Sequence, residues 1–313
     1  MGYPTKYATL SDKYSFVDRV SFGSTCTELL DKLQELTKGC HLFRGQRDAL
    51  WPIVSTGQRA YIEHITYSLG HSLSYIDFVA KALSYAKREK EFVPMKVARG
   101  KRYYYDHEIL GWLQHYSYLT PLIDFSSDPM VALYMATVNI EDAQNDGYFS
   151  IYAMPGHYEV GNNENVRLER LIRDHAHILK ACNLTKQQMF DFDNWKDFTF
   201  CLIHKDGSLK PWDKNLAKER IASQNGLFVY LNNASISLEA YCKQQSVMLN
   251  VNGGEGVGCI LPRIKCIDVP NSLAPLVSEL CKRKGYTAEY LGLADQTTDE
   301  SVRYIKKCFL ESL

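Results

Sequence analysis

Arg44 stands where a short, mainly apolar run meets a glycine, an arrangement that can bind an anion. The run from Cys40 to Arg44 predicts a strand, and Gly45 follows it directly. A guanidinium at a strand end can donate two parallel hydrogen bonds to a phosphate or a carboxylate. Glycine would let a ligand approach the backbone closely. The alternative is a structural arginine that satisfies a carbonyl or an acid of the protein itself.

A predicted helix from Asp106 to Ser117 places a second set of polar residues on one face. Glu108, Gly111, Gln114 and His115 share a sector opposite to an apolar one. Glu108 and His115 align but lie roughly 10 Å apart along the axis, so they cannot form a hydrogen-bonded dyad. Both could line one cleft as an acid/base pair, or the sector could be an ordinary solvated face.

The stretch from Thr120 to Pro129 predicts an extended segment that runs into a helix. Ser127 or Asp128 can cap that helix, whose free amides could also hold an anion. Asp124 lies between Ile123 and Phe125 and is expected to be partly buried. A buried carboxylate needs a partner, and Arg44 is the candidate.

A basic segment from Lys81 to Arg102 holds eight basic and two acidic residues, and three tyrosines follow it. Cationic and aromatic side chains together are typical of a surface for single-stranded nucleic acid, although a solvated helix followed by a loop would look similar. The residues predicted to contact nucleic acid are Lys96, Arg99, Lys101, Arg102 and Tyr103.

Other patterns exclude several classes of protein. The 313 residues carry 36 basic and 36 acidic side chains and are 45% hydrophobic, which excludes a disordered chain and a globally basic nucleic-acid coat. None of the nine cysteines forms a C-x-x-C pair, so no metal site is expected. The apolar stretch from Met130 to Val138 is too short to span a bilayer, and we expect a cytoplasmic protein.

The elements that must position these residues predict an α+β fold. Thr25 and Glu28 form a capping box for a helix that ends near Gly39. A hairpin is expected from Gln245 to Val251 and Gly256 to Leu261, joined by an Asn-Gly turn. Further strands are predicted at 148–153, 227–231 and 263–269, and closing helices near 271–284 and 297–313.

Three blocks in order resemble the FRG domain. The first is Phe43-Arg44-Gly45-Gln46 with Trp51-Pro52-Ile53, and the third runs from Arg220 to Phe228. The second comprises Leu113 to Tyr116, Thr120 to Ser126 and Pro129 to Ala136. An arginine that the family often carries before its Leu-Leu-Asp is replaced here by Leu119-Thr120-Pro121.

The resemblance implies an NAD-dependent ADP-ribosyltransferase of the Arg–Ser–Glu type, with a split β-sheet core and helical insertions. Arg44, with Gly45 and Gln46, would hold NAD, the substrate. Asp124, Ser126 and Ser127 would complete that site, with Ser126 or Ser127 in the serine position. Gln224 or Glu108 would stand where the transferase glutamate acts. His115 is the third predicted catalytic residue, as the acid/base partner of Glu108 in a nuclease or NAD hydrolase.

The family's associations imply a toxin of bacterial phage defence that is neutralised by an antitoxin protein. The basic segment and the tyrosines that follow it favour a base in RNA or single-stranded DNA as the acceptor, and a protein acceptor stays open. A non-catalytic nucleotide or nucleic-acid binding module, or an NAD glycohydrolase, is the alternative. The predicted organisation is an N-terminal helical segment at 1–39, the FRG-like domain at 40–285 and a C-terminal helix at 286–313.

Overall fold

The computed structural model describes most of the chain outside its central part. The described residues are 5–66, 73–88, 96–98, 101–103, 106–138, 140, 147–154, 200–203, 223–251, 263–293 and 296–313. Within them, no helix combines the length and the apolar character that crossing a membrane requires.

Nine α-helices are found in the described ranges. They are α1 (Leu10–Tyr14), α2 (Cys26–Leu36), α3 (Thr56–Tyr61), α4 (Tyr75–Arg88), α5 (Asp106–His115), α6 (Pro129–Thr137), α7 (Leu238–Val251), α8 (Ala274–Arg283) and α9 (Gln296–Glu311). A π-helical turn, Ile62–Thr66, continues α3, and a 3-10 turn, Asn271–Leu273, precedes α8. The capping box of Thr25 and Glu28 is confirmed, as is the cap of α6 by Asp128.

Nine strands accompany these helices in the same ranges. They are β1 (Asp18–Arg19), β2 (Leu42–Gln46), β3 (Lys96–Ala98), β4 (Lys101–Tyr103), β5 (Leu122–Ser126), β6 (Tyr148–Met154), β7 (Phe200–Ile203), β8 (Gly226–Leu231) and β9 (Lys265–Pro270). Seven form one sheet in the order β1-β9-β6-β2-β5-β8-β7, while β3 and β4 pair as a separate ribbon. Only β1 and β9 pair in parallel among the described strands, so the predicted α+β class is confirmed.

Strand β2 pairs very unequally with its two neighbours. Five residues of β2 are in register with β6, whereas its pairing with β5 is confined to Phe43 and Ser126. Beyond that pair the main-chain ladder between β2 and β5 is interrupted. The sheet is therefore open at its centre, next to Arg44.

Helices α5 and α6 cover the same face of the sheet on either side of this opening. Register places Phe43 opposite Ser126 and Asp124 opposite Phe228, and side chains alternate along each strand. Phe228 contacts Gly111 of α5, and Gly45 contacts Ala132 and Ala136 of α6. A space is left between the two helices, above Asp124.

Three clusters of buried side chains hold this arrangement. One joins α2, α6 and α8 to β2, β6 and β9, and a second joins α4, α5 and α9 to β5 and β8. The third lies on the opposite face of the sheet, where α7 packs. The rim of the opening is thus built from rigid elements.

One predicted element is wrong. Gln245 to Val251, expected as the first strand of a hairpin, is the second half of α7, and Gly256 to Leu261 lies outside the described residues. The 14 residues of α7 are mostly good helix formers, and Leu238, Tyr241 and Cys242 bury one face at helical spacing. Residues 245–251 would favour a strand on their own. They adopt a helix because they continue one whose buried face is set by the residues before them.

Gly45 is required by packing, and this gives a first prediction. A methyl group there would stand 1.9 Å from the carbonyl oxygen of Ala132 and 2.7 Å from the nitrogen of Ala136. Gly45→Ala should therefore lower the free energy of unfolding by about 3 kcal/mol, the upper range for overpacking. Gly39→Ala is the control, because nothing lies within 4 Å of its added methyl group. Equal denaturant midpoints for the two variants would contradict this reading.

Candidate active site

The side chain of Arg44 bridges the opening between β2 and β5. Its Nη1 donates a 2.7 Å hydrogen bond to the main-chain oxygen of Asp124, and its Nε donates to Oε1 of Gln46 at 3.3 Å. Gln46 in turn donates from Nε2 to the main-chain oxygen of Trp51 at 2.9 Å. The guanidinium thus replaces part of the missing ladder, and one glutamine fixes both Arg44 and the segment that begins at Trp51.

Asp124 is held by a second glutamine, which comes from α5. Gln114 donates from Nε2 to Oδ2 of Asp124 at 2.6 Å. The Oε1 atom of Gln114 accepts from the hydroxyl of Thr120 and, at 3.4 Å, from that of Thr56. The orientation of the Asp124 carboxylate is therefore set by a chain of polar groups with few alternative arrangements.

The sector of α5 that carries Gly111, Gln114 and His115 is not a solvated face. Gly111 and Gln114 are buried, and the ring of His115 meets that of Phe228 edge-on with centroids 5.3 Å apart. The sequence prediction that this sector lines a cleft is thus supported for Gln114 and His115. The side chain of Glu108 lies outside the described residues, although its backbone belongs to α5.

A second arginine, Arg59 of α3, lies near Arg44. Its Nη1 donates to the main-chain oxygen of Val54 at 3.2 Å, and the residue is otherwise exposed. Burial lowers the pKa of Arg44, the negative charge of Asp124 opposes that shift, and the positive charge of Arg59 adds to it. Because a guanidinium stays protonated at neutral pH, two positive charges lie close together here.

These side chains surround a cavity of about 320 Å³ between α5 and α6. Arg44 and Arg59 line it with Asp124 and His115, and Met135 of α6 closes one wall. A second cavity of about 510 Å³, lined by Trp51 and Glu63, shares Arg44, Arg59 and Met135 with the first. The two arginines therefore lie where the two cavities meet.

Ser126 and Gln224 line the smaller cavity, whereas Ser127 is not among its described lining residues, and all three side chains form hydrogen bonds within the protein. Ser126 is buried; its hydroxyl donates to the main-chain oxygen of Gln224 at 2.7 Å and accepts from the amide of Asp128 at 2.9 Å. The exposed Ser127 donates to the main-chain oxygen of Asn225 at 3.5 Å. Nε2 of Gln224 donates to the main-chain oxygen of Leu291 at 2.8 Å. Their predicted roles toward NAD stay predictions.

The segment from Gly285 to Leu293 closes the end of the smaller cavity. Leu293 lines it, and Tyr286 donates from its hydroxyl to Oδ2 of Asp128 at 2.7 Å. Gly285 and Gly292 have φ angles of 89° and 64°, a region that favours glycine. These two glycines allow the sharp turns that bring the segment over the cavity.

The predicted nucleic-acid residues are only partly described. Lys96 lies in β3, and Lys101, Arg102 and Tyr103 lie in β4, but their side chains are outside the described residues, as is the whole of Arg99. Their predicted contacts with nucleic acid stay a prediction.

About a third of the chain matches a known protein family. Residues 40–145 match the model of the FRG domain. No curated protein and no solved structure gives a significant match. The FRG match contains five polar residues that line the smaller cavity, Arg44, Arg59, Gln114, His115 and Asp124.

The FRG match ends before the third block of the predicted resemblance. Gln224 and the strand β8 lie beyond residue 145, so the assignment of that block stays a prediction. Within the match, Phe43 is buried in the core, Arg44 bridges the opening, and Gly45 permits contact with α6. Packing against α6 therefore requires a glycine at position 45, and the expected approach of a ligand to its backbone stays a prediction.

Sequence reasoning missed Arg59 and Thr56. Both follow Ser55, which forms a capping box with Gln58 and so sets the start of α3. The pattern Ser-x-x-Gln was a signal for that helix start, but nothing in the sequence near Arg59 indicates that it approaches Arg44. The two arginines come together only through the packing of α3.

A buried carboxylate behind the site gives a second prediction. Glu239 of α7 accepts hydrogen bonds from the hydroxyl of Tyr7 at 2.6 Å and from the amide of Ile53 at 3.1 Å. Burial raises the pKa of Glu239, and its hydrogen bonds reduce that rise. A raised pKa in the folded state means that stability falls as pH rises from the unfolded value toward the folded one.

Glu239→Gln removes this ionisation while keeping an oxygen that can accept both hydrogen bonds. The free energy of unfolding of the variant, minus that of the wild type, should therefore increase as pH is raised from about 4.5 to 7. Urea unfolding at a series of pH values measures this difference. If the difference in the free energy of unfolding stayed constant or decreased with pH, burial would not raise the pKa of Glu239 in the folded protein.

Proposed function

We propose that the two cavities bind NAD and that the protein is an NAD-dependent ADP-ribosyltransferase. The pair of guanidiniums, Arg44 and Arg59, at the junction of the two cavities is the main support for this function. Two adjacent positive charges are costly in the free protein and are matched by a diphosphate, which carries two negative charges. The cavity volumes are within the range of small-molecule sites.

The proposed reaction breaks the bond between the nicotinamide nitrogen and C1′ of ribose. The electron pair leaves with nicotinamide, which becomes neutral, and positive charge develops on the ribose ring. A carboxylate held nearby stabilises that charge, and Asp124, oriented by Gln114, is the carboxylate of the described cavity. A nucleophilic atom of the acceptor then bonds to C1′ and releases its proton, which His115 can accept.

The proposed acceptor is a base in single-stranded RNA or DNA. The basic segment from Lys81 to Arg102 and its following tyrosines support this choice over a protein acceptor. A role as a toxin of phage defence, held in check by an antitoxin, rests on the associations of FRG domains. Expression without that partner should then arrest growth of a bacterial host.

The third prediction tests the reaction. Purified protein is incubated with NAD labelled separately in the nicotinamide and in the adenylate phosphate, with single-stranded RNA, single-stranded DNA or protein extract. Wild type should release nicotinamide and label nucleic acid. Asp124→Asn should slow release by about 100-fold or more, the cost of losing one oriented transition-state group. Glu108→Gln is compared in parallel, because Glu108 is the other predicted carboxylate.

Arg59→Gln is the informative binding variant, since Arg59 is exposed and its replacement leaves the bridge made by Arg44 intact. It should raise the KM for NAD at least about tenfold through the loss of a charge-assisted contact. Arg283→Ala, which removes an exposed arginine of α8 away from the cavities, should leave activity unchanged. Nicotinamide release by Asp124→Asn and Arg59→Gln at the wild-type rate would contradict the proposal.

A non-catalytic nucleotide-binding module is the second candidate. The side chains of Ser126 and Gln224 favour it, because both donate hydrogen bonds to main-chain oxygens of the protein. In a transferase of the Arg–Ser–Glu type, these positions would instead act on NAD. Saturable NAD binding that depends on Arg59, with NAD intact after prolonged incubation, would establish this candidate instead.

A further inference from the structure

The larger cavity has the features of a site for a nucleobase. Trp51 lines it together with Pro52 and Ile62, and the side chain of Trp51 is 42% exposed. A large aromatic residue left open to solvent inside a cavity offers a flat face on which a base can stack. None of the contacts described above depends on the indole ring itself.

The main chain around Trp51 is fixed on both sides. Gln46 donates to the oxygen of Trp51 at 2.9 Å, and Glu239 accepts from the amide of Ile53 at 3.1 Å. Gln46 also accepts from Nε of Arg44, so the aromatic residue and the cation are held at a set spacing by the same amide group. This is the preorganisation that a binding site requires.

Charge in the larger cavity favours an anionic ligand. Among the described residues that line it, Arg44, Arg47 and Arg59 carry positive charge and Glu63 carries negative charge. The ligand should therefore carry negative charge close to its ring. A nucleotide with a diphosphate meets both requirements.

The two cavities differ in what they offer, and this difference sets an orientation. Asp124 and His115 line only the smaller cavity, and Trp51 lines only the larger one. Resting on the proposed function, we propose that the larger cavity binds the adenosine half of NAD, with adenine stacked on Trp51. The diphosphate lies at Arg44 and Arg59, and the nicotinamide ribose enters the smaller cavity beside Asp124.

The fourth prediction separates the two halves of the ligand. Isothermal titration measures binding of ADP, which has the adenine ring, of nicotinamide mononucleotide, which lacks it, and of pyrophosphate, which lacks both rings. Trp51→Ala should weaken ADP binding about tenfold to hundredfold, the effect of losing one stacked base. It should change the affinities for nicotinamide mononucleotide and pyrophosphate by less than about twofold, within the scatter of surface substitutions.

Two further variants complete the design. Trp51→Phe keeps an aromatic face and should retain most of the ADP affinity. Tyr304→Ala removes an aromatic side chain that is 69% exposed on α9 and should change nothing. Failure of the wild type to bind ADP, an unchanged ADP affinity in Trp51→Ala, or a greater loss for nicotinamide mononucleotide than for ADP would overturn the inference.

The outcomes for this inference and for the proposed function are distinguishable. If ADP binding depends on Trp51 but NAD stays intact, the base site is supported and the transferase activity is wrong. If NAD cleavage requires Arg59 and Asp124 but ADP binding does not depend on Trp51, the transferase activity is supported and the base site is wrong.

Discussion

The interrupted pairing between β2 and β5 is the constraint on which the site depends. A sheet with a continuous ladder would leave no room beside Asp124, because the main chains would lie less than about 5 Å apart. Here the two strands pair at Phe43 and Ser126, and the guanidinium of Arg44 spans the rest of the gap. The same side chain thus stabilises the opening and presents a positive charge to it.

The polar groups around Arg44 are arranged so that few of them can move independently. Gln46 forms hydrogen bonds with both Arg44 and the main chain of Trp51, and Gln114 of α5 forms one with Asp124. Glu239 of α7 accepts a hydrogen bond from the segment that follows Trp51. Burial of Arg44 costs free energy that Asp124 offsets in part, and the nearby Arg59 adds to the cost. An anion bound between the two arginines would relieve that cost, which is the physical reason to regard the site as a phosphate site.

Local patterns in the sequence predicted much of the fold. The capping box at Thr25 and the cap of α6 at Asp128 depend on residues within four positions of one another, so sequence alone reveals them. The partial burial of Asp124 also followed from its apolar neighbours, although its observed side-chain partner is Gln114, while Arg44 contacts its main chain. The run from Gln245 to Val251 was misassigned because its helix begins seven residues earlier. Arg59 and the packing role of Gly45 depend on α3 packing beside β5 and on α6 packing on β2, contacts that no local pattern encodes.

The proposed function requires that Arg44 and Arg59 together bind the diphosphate of a dinucleotide. A crystal structure of the protein with a non-cleavable NAD analogue, in which a methylene replaces the ring oxygen of the nicotinamide ribose, tests it most directly. We expect diphosphate oxygens about 3 Å from nitrogens of both guanidiniums, with one ring of the analogue in each cavity. An analogue that bound elsewhere on the protein, or that contacted neither arginine, would rule out this binding mode.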